Sequence, residues 1–195
     1  MESTRKPAEH WLLTTPEVAE QVARASACAG EIAAADCAIE LEQRLRGNHD
    51  CDNPNEELAF DSPLEAMFWI WWIACSHGFE RTILTLQHHH KIQCPEGPFV
   101  VDFAIWPKRA EYRELWTPFG IELDGHTFHE RTRDQVQRRD SRDRALQRFG
   151  WRLSHYSYAE FMADPELVMF DVIDTAKQAY WNLIASKSRQ SGAGA

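Results

Sequence analysis

Long apolar runs are missing from this 195-residue chain: no stretch approaches the 18 or more uncharged residues of a membrane-spanning helix, so no membrane partner is expected. The opening MESTRKPAEHWLL has no apolar core of the secretory kind, and a cytoplasmic location is the expectation. Cys-x-x-Cys pairs are also absent. The five cysteines (Cys28, Cys37, Cys51, Cys75 and Cys94) are odd in number and scattered, which argues against a disulfide framework or a cysteine zinc knuckle and suits a reducing compartment. An overall basic excess is lacking too. The net charge of -9, taken whole, opposes binding to a phosphate backbone, because that binding depends on a basic surface releasing counterions. With 44% hydrophobic and 26% charged residues, the composition excludes a disordered or collagen-like chain. The length suits one domain of about 100 to 150 residues plus an extension.

The charge is unevenly placed. Met1 to Glu65 holds 14 acids and 5 bases, whereas Ala66 to Ala195 holds 16 of each, so all the excess acid lies in the first third. Within the neutral remainder, Glu130 to Arg152 carries eight arginines against four acids, a local basic patch of the kind nucleic-acid binders use.

Thr14, Pro16 and Glu17 open a long amphipathic helix predicted to run to Arg46, with Val18, Val22, Ala25, Ala29 and Ile32 on one stripe. Its apolar side offers a surface to a second copy or another protein. GNHDCDNPNEE reads as an acidic linker, so residues 1–57 form an extension, 58–186 the main domain and 187–195 a flexible tail. In the main domain Ser62-Pro63-Leu64-Glu65 opens a helix continued by AMFWIWWIAC and ended by Gly78. RTILTLQHHHKI and FVVDFAIW read as strands around a CPEGP turn, followed by a third strand, FGIELDG. Glu130 to Phe149 reads as a helix stopped by Gly150, WRLSHYSY as a fourth strand, and Pro165 to about Ser186 as a closing helix capped by Asp164. The expected class is α/β.

Four acids sit in apolar surroundings. Asp102, among Val100, Val101, Phe103 and Ala104, would cost several kcal/mol as an uncompensated charge. Strand periodicity places Glu122 and Asp124 on one face at a strand end, as oxygen ligands for a hard divalent cation are assembled. Salt bridging to an arginine is the structural alternative for these acids. Glu65, three residues after Ser62, also has a sufficient reason to be there as a helix cap. His88, His89 and His90 invite a zinc reading, since His88 and His90 should share a strand face near Cys94; without a second ligand pair they read as a polar strand end.

The succession SPLEAMFW, LTLQHHHKI, FVVDFAIW, GIELDGHTFHERT and RRDSRDRALQRFGWRLSHY resembles the PD-(D/E)XK nuclease superfamily, in particular its very-short-patch-repair-like branch, over roughly Ser62 to Phe161. The resemblance implies a restriction-endonuclease-like central mixed β-sheet flanked by helices, here with an N-terminal helical extension. It also implies Mg²⁺-dependent hydrolysis of phosphodiester bonds in DNA, with Mn²⁺ substituting. It would make Asp102 and Glu122 the metal ligands, Glu65 an auxiliary acid, and Gln87 a contact to the metal water or a phosphate. The family's basic pattern has a lysine two residues after the glutamate, where this chain has Asp124. A third carboxylate then enlarges the acidic cluster, or the activating role passes to His126 or His129; the branch resembled keeps a histidine here, which favours His129.

On the arginine helix, Arg131, Arg138 and Arg142 fall within a narrow arc at 100° per residue and are expected to contact phosphates. Arg139 and Asp143 lie nearer Val136 and Leu146 and read as a structural pair. The rival readings are a non-catalytic nucleic-acid-binding domain on the same fold and a protein-interaction module.

Overall fold

The computed structural model describes residues 16–29, 60, 62–76, 79–125 and 133–192. The chain divides into two compact units, Met1–His77 and Gly78–Ala195. The division falls after the tryptophan-rich helix, later than the 57/58 boundary read from composition.

In the first unit, residues 16–29 form α1, and α2 spans Pro63–Cys75. Val18, Gln21 and Ala25 are buried, a stripe at helical spacing, and Gln21 Oε1 accepts the Trp71 indole N–H at 3.0 Å. Of the expected stripe, Val18 and Ala25 are buried, and Val22 and Ala29 are half-buried. Residues 30–46, the rest of the expected helix, lie outside the described residues. Helix α2 is buried on every side from Leu64 to Ala74, as its unbroken apolar sequence requires.

The second unit holds α3 (Phe79–Ile83), β1 (Leu84–Cys94), β2 (Gly97–Pro107), α4 (Ala110–Arg113), β3 (Phe119–Asp124), α5 (Arg133–Arg148), β4 (Arg152–Ser157), α6 (Tyr158–Ala163) and α7 (Pro165–Gly192). The four strands form one mixed sheet in the order β1-β2-β3-β4, antiparallel except for β3 with β4. Joining two parallel neighbours requires a crossover, and α5 provides it. Its Leu146 packs with Ile92, Val101, Ala104 and Trp151 on one sheet face. On the other face the Tyr156 hydroxyl donates to Asp171 of α7 at 2.7 Å. The class is α/β, with helices flanking a mixed sheet.

Three details differ from the sequence reading. Residues 81–83, expected as strand, belong to the short helix α3. After β4, Ser157 and Glu160 build a capping box that opens α6 at Tyr158, the last residue of the expected strand, and the helix continues through residues to which no element was assigned. Asp164 caps α7 as expected, its carboxylate accepting the Leu167 N–H, but the helix runs on to Gly192 through residues read as a tail.

Gly120 marks the closest approach of β3 to its neighbours. A Cβ there would lie 2.8 Å from Leu153 Cδ2 and 3.4 Å from both Trp151 and Val101. Gly120→Ala is therefore expected to cost about 1–2 kcal/mol and lower Tm by roughly 2–6 °C in a circular dichroism melt. An unchanged Tm would show that Leu153 swings away freely.

Candidate functional site

The site is built where β2 and β3 part. Their ladder pairs Phe103 with Ile121, Ala104 with Gly120 and Ile105 with Phe119. One step further the Asp102 side chain takes over, its Oδ2 accepting the Leu123 N–H at 2.7 Å. A carboxylate thus satisfies a backbone donor that the ladder leaves behind.

Side-chain alternation also slips at this point. Val101 and Ala104, three residues apart, should face opposite ways, yet both pack with Leu146. On β1, His88 pairs with Phe103 and His90 with Val101, and His89 between them has φ +47, in the left-handed region that non-glycine residues rarely adopt. Consequently the His88 ring lies against Phe103 while the His90 ring lies 5.4 Å from both Trp106 and Trp151, so these two histidines do not share a face. The zinc reading of His88 with His90 loses its geometric basis.

Glu122 and Asp124 do share a face, as expected from periodicity, and both are buried. Helix α5 meets them with two guanidiniums. Arg142 Nη2 lies 3.1 Å from Glu122 Oε2, and Arg139 Nη1 lies 3.5 Å from Asp124 Oδ2. Arg142 also reaches Asp143 Oδ1 at 3.3 Å, and Asp143 Oδ2 is 2.9 Å from His155 Nε2 on β4. His155 is in turn the parallel-strand neighbour of Glu122. The result is a chain of contacts through four side chains on three elements, in the order Glu122, Arg142, Asp143 and His155.

Two buried atoms along these contacts have no hydrogen-bond partner among the described residues, Glu122 Oε1 and His155 Nδ1. Burial, with the nearby Asp102 charge adding to it and Arg142 opposing, pushes the Glu122 carboxyl up to about 7. A buried carboxyl raised by a neighbouring carboxylate in this way is what a cation between them would relieve. Among the described residues, neither Asp102, Glu122 and Asp124 nor Asp102, Glu122 and His155 form a group whose ligand atoms all lie within 4.8 Å of one another. Asp124 goes to Arg139, and Asp102 and Glu122 are the two carboxylates that could hold a hard cation, a number that Mg²⁺ usually takes.

No protein-family model, curated protein or solved structure matches the chain.

The remaining sequence-derived positions are placed as follows. Glu65 lies in the first unit, where its carboxylate accepts the Ser62 hydroxyl at 2.7 Å and its N–H donates to Ser62 Oγ, the capping role. Gln87 is half-buried and pairs across the strands with Ala104, two residues from Asp102. Arg138 is exposed and lines an open groove of about 590 Å³ with Phe99, Ser141, Arg142 and Arg148. Arg142, expected to point at phosphate, turns inward to Glu122 and Asp143. Arg139 and Asp143, read as a pair, are both half-buried and connect to Asp124 and to His155 respectively. His126, His129 and Arg131 lie outside the described residues. The sequence reading missed His155, whose signal was its place in β4 beside Glu122; that signal needs the strand register to be known.

Proposed function

We propose that the chain is a metal-dependent endonuclease of restriction-endonuclease-like fold, hydrolysing phosphodiester bonds in DNA. The observation that carries this reading is Glu122: a buried carboxylate with one oxygen lacking a partner among the described residues, raised to about 7 by burial and by the charge of a second carboxylate, Asp102. Asp102 and Glu122 would hold Mg²⁺ or Mn²⁺. When bound, such a cation lowers the pKa of water and offsets negative charge on phosphoryl oxygens. Asp102 is fixed by the Leu123 N–H and Glu122 by Arg142, so both carboxylates are oriented before substrate arrives. Arg138 on the groove supplies a phosphate contact. His129 or His126 takes the water's proton in place of the absent lysine, with Asp124 held by Arg139 outside that role.

The test is cleavage of supercoiled plasmid and of single-stranded and branched DNA by the purified chain, with Mg²⁺, Mn²⁺ or EDTA. Metal-dependent nicking is the expected result; no cleavage of any substrate with either metal overturns the reading. Arg138→Gln should weaken DNA binding and reduce its log-log salt slope by roughly one, the share of a single phosphate contact. An unchanged slope would make Arg138 a solvated residue. Arg142→Gln should act differently, lowering Tm because it strands Glu122 and Asp143, which breaks a buried network rather than a DNA contact.

A second reading, a non-catalytic nucleic-acid-binding domain, is favoured by one observation. Arg142 and Arg139 already neutralise part of the acidic cluster, as in a site whose charges are structural. Plasmid nicking separates the two.

A further inference from the structure

The chain of contacts through Glu122, Arg142, Asp143 and His155 contains more than the proposed nuclease reading uses. His155 stands on β4 directly beside Glu122 on β3, in parallel register and on the same face. Its Nε2 is 2.9 Å from Asp143 Oδ2. A carboxylate can only accept, so Nε2 carries the proton, and a neutral imidazole then presents a lone pair at Nδ1. That nitrogen is buried and without a hydrogen-bond partner among the described residues, as is Glu122 Oε1. With the imidazole neutral and the carboxyl ionised, these are two buried lone pairs on neighbouring strands with no donor among the described residues, a desolvation that an electrophile shared between them would offset.

The groups behind His155 have the form seen around metal-bound histidines. Such a histidine almost always donates its other ring N–H to a carboxylate, which fixes the tautomer and raises the ligand's basicity. Asp143 Oδ2, 2.9 Å from His155 Nε2, stands where that carboxylate would be. Arg142 then ties Asp143 back to Glu122 through its two contacts, so both donors are braced by one helix turn of α5. The charge also fits. Five carboxylates (Asp102, Glu122, Asp124, Asp140 and Asp143) face two guanidiniums (Arg139 and Arg142), an acidic excess that a divalent ion would reduce.

We propose that His155 Nδ1 is a nitrogen ligand of the cation held by Glu122, which makes this a mixed nitrogen–oxygen site selective for a divalent transition metal over Mg²⁺. Imidazole nitrogen is a poor donor for Mg²⁺, which takes oxygen, and a good one for transition metals, so a single histidine shifts the preference. Asp143 is the positioning residue that sets the histidine's tautomer. The inference rests on the reading of Glu122 as a metal ligand, and it changes the expected resident metal from Mg²⁺ to a transition ion such as Mn²⁺.

The test is calorimetric titration of the full, metal-stripped chain with MnCl₂ and with MgCl₂, comparing the parent with His155→Ala, His155→Gln, Asp143→Asn and Glu122→Gln. Binding lost in Glu122→Gln belongs to this site. At this site Mn²⁺ should bind at least about tenfold more tightly than Mg²⁺. Both His155 variants should lose about tenfold or more in Mn²⁺ affinity while Mg²⁺ affinity stays within about twofold; Asp143→Asn should lose roughly ten- to a hundredfold for Mn²⁺. Pulsed EPR on Mn²⁺-loaded parent protein with ¹⁵N-histidine gives a readout that needs no variant to fold well: absence of histidine nitrogen coupling overturns the proposal. If the His155 variants keep full Mn²⁺ affinity while Glu122→Gln abolishes it, the histidine ligand is wrong and the carboxylate site stands. If neither metal binds, or Glu122→Gln binds both as the parent does, the carboxylate reading falls and this inference with it.

Discussion

Asp102→Asn is expected to lower metal-dependent cleavage by about a thousandfold or more, the equivalent of roughly 4 kcal/mol of transition-state stabilisation, in a protein that melts within a few degrees of the parent. The two halves of that result come from two oxygens with different tasks. One oxygen of Asp102 accepts the Leu123 N–H at 2.7 Å where the β2–β3 ladder ends. An asparagine carbonyl can take the same hydrogen bond, so the local structure survives. What asparagine cannot supply is the negative charge that, with Glu122, would hold a divalent ion. Asp102→Ala serves as the contrast, because it removes the acceptor as well and strands a backbone donor, at a cost of about 1–3 kcal/mol visible as a lower Tm. Cleavage by the asparagine variant at the parent's rate would show that Asp102 is no metal ligand. A melting point as low as alanine's would show instead that its charge is structural.

The pattern of elements was legible because it depends on local signals. Periodicity placed four strands, turn residues placed the hairpin at Pro95–Glu96, and Gly150, with φ +90, ended α5 as a glycine past a helix end does. The same periodicity put Glu122 and Asp124 on one face, and apolar neighbours marked Asp102 as a residue that needs a partner. The partners themselves were not legible. Which acid Arg139 or Arg142 meets is decided by how α5 crosses the sheet, and i to i+4 spacing describes only contacts within the helix. His155 was passed over for a related reason: its pairing with Glu122 is a parallel register across a crossover, which the sequence does not state.

Other misreadings came from breaks in regularity. A period-two pattern puts His88 and His90 together, and the left-handed backbone at His89 parts them. On α1 the buried positions are Val18, Gln21 and Ala25, and Gln21, a polar residue that the apolar pattern skipped, is bonded to Trp71. Helix α6 has no element assigned to it in the sequence beyond Tyr158, which suits strand or helix, and the paired hydrogen bonds of Ser157 and Glu160 are what open the helix.

Glu122→Gln is expected to stabilise the metal-free protein, by an amount that grows with pH. Burial and the Asp102 charge raise the Glu122 carboxyl from 4.5 to about 7 in the folded state, despite Arg142. Between those two values the folded chain holds a proton that the unfolded chain has released, so the parent's stability falls as pH rises through that window. The full shift corresponds to about 3 kcal/mol at most. Glutamine does not titrate, and its amide oxygen can still accept from Arg142. Its advantage over glutamate should therefore be small at pH 4.5, widen toward pH 7 and level off above it, as read from urea melts in EDTA. With metal present at about a hundred times its Kd most of that advantage should vanish, since binding adds roughly 2.7 kcal/mol to the parent alone. A glutamine advantage that stays flat across the whole range would mean that Arg142 already satisfies the Glu122 charge. In that case the buried carboxylate gives no reason to expect a cation, and the non-catalytic reading becomes the better account of the cluster.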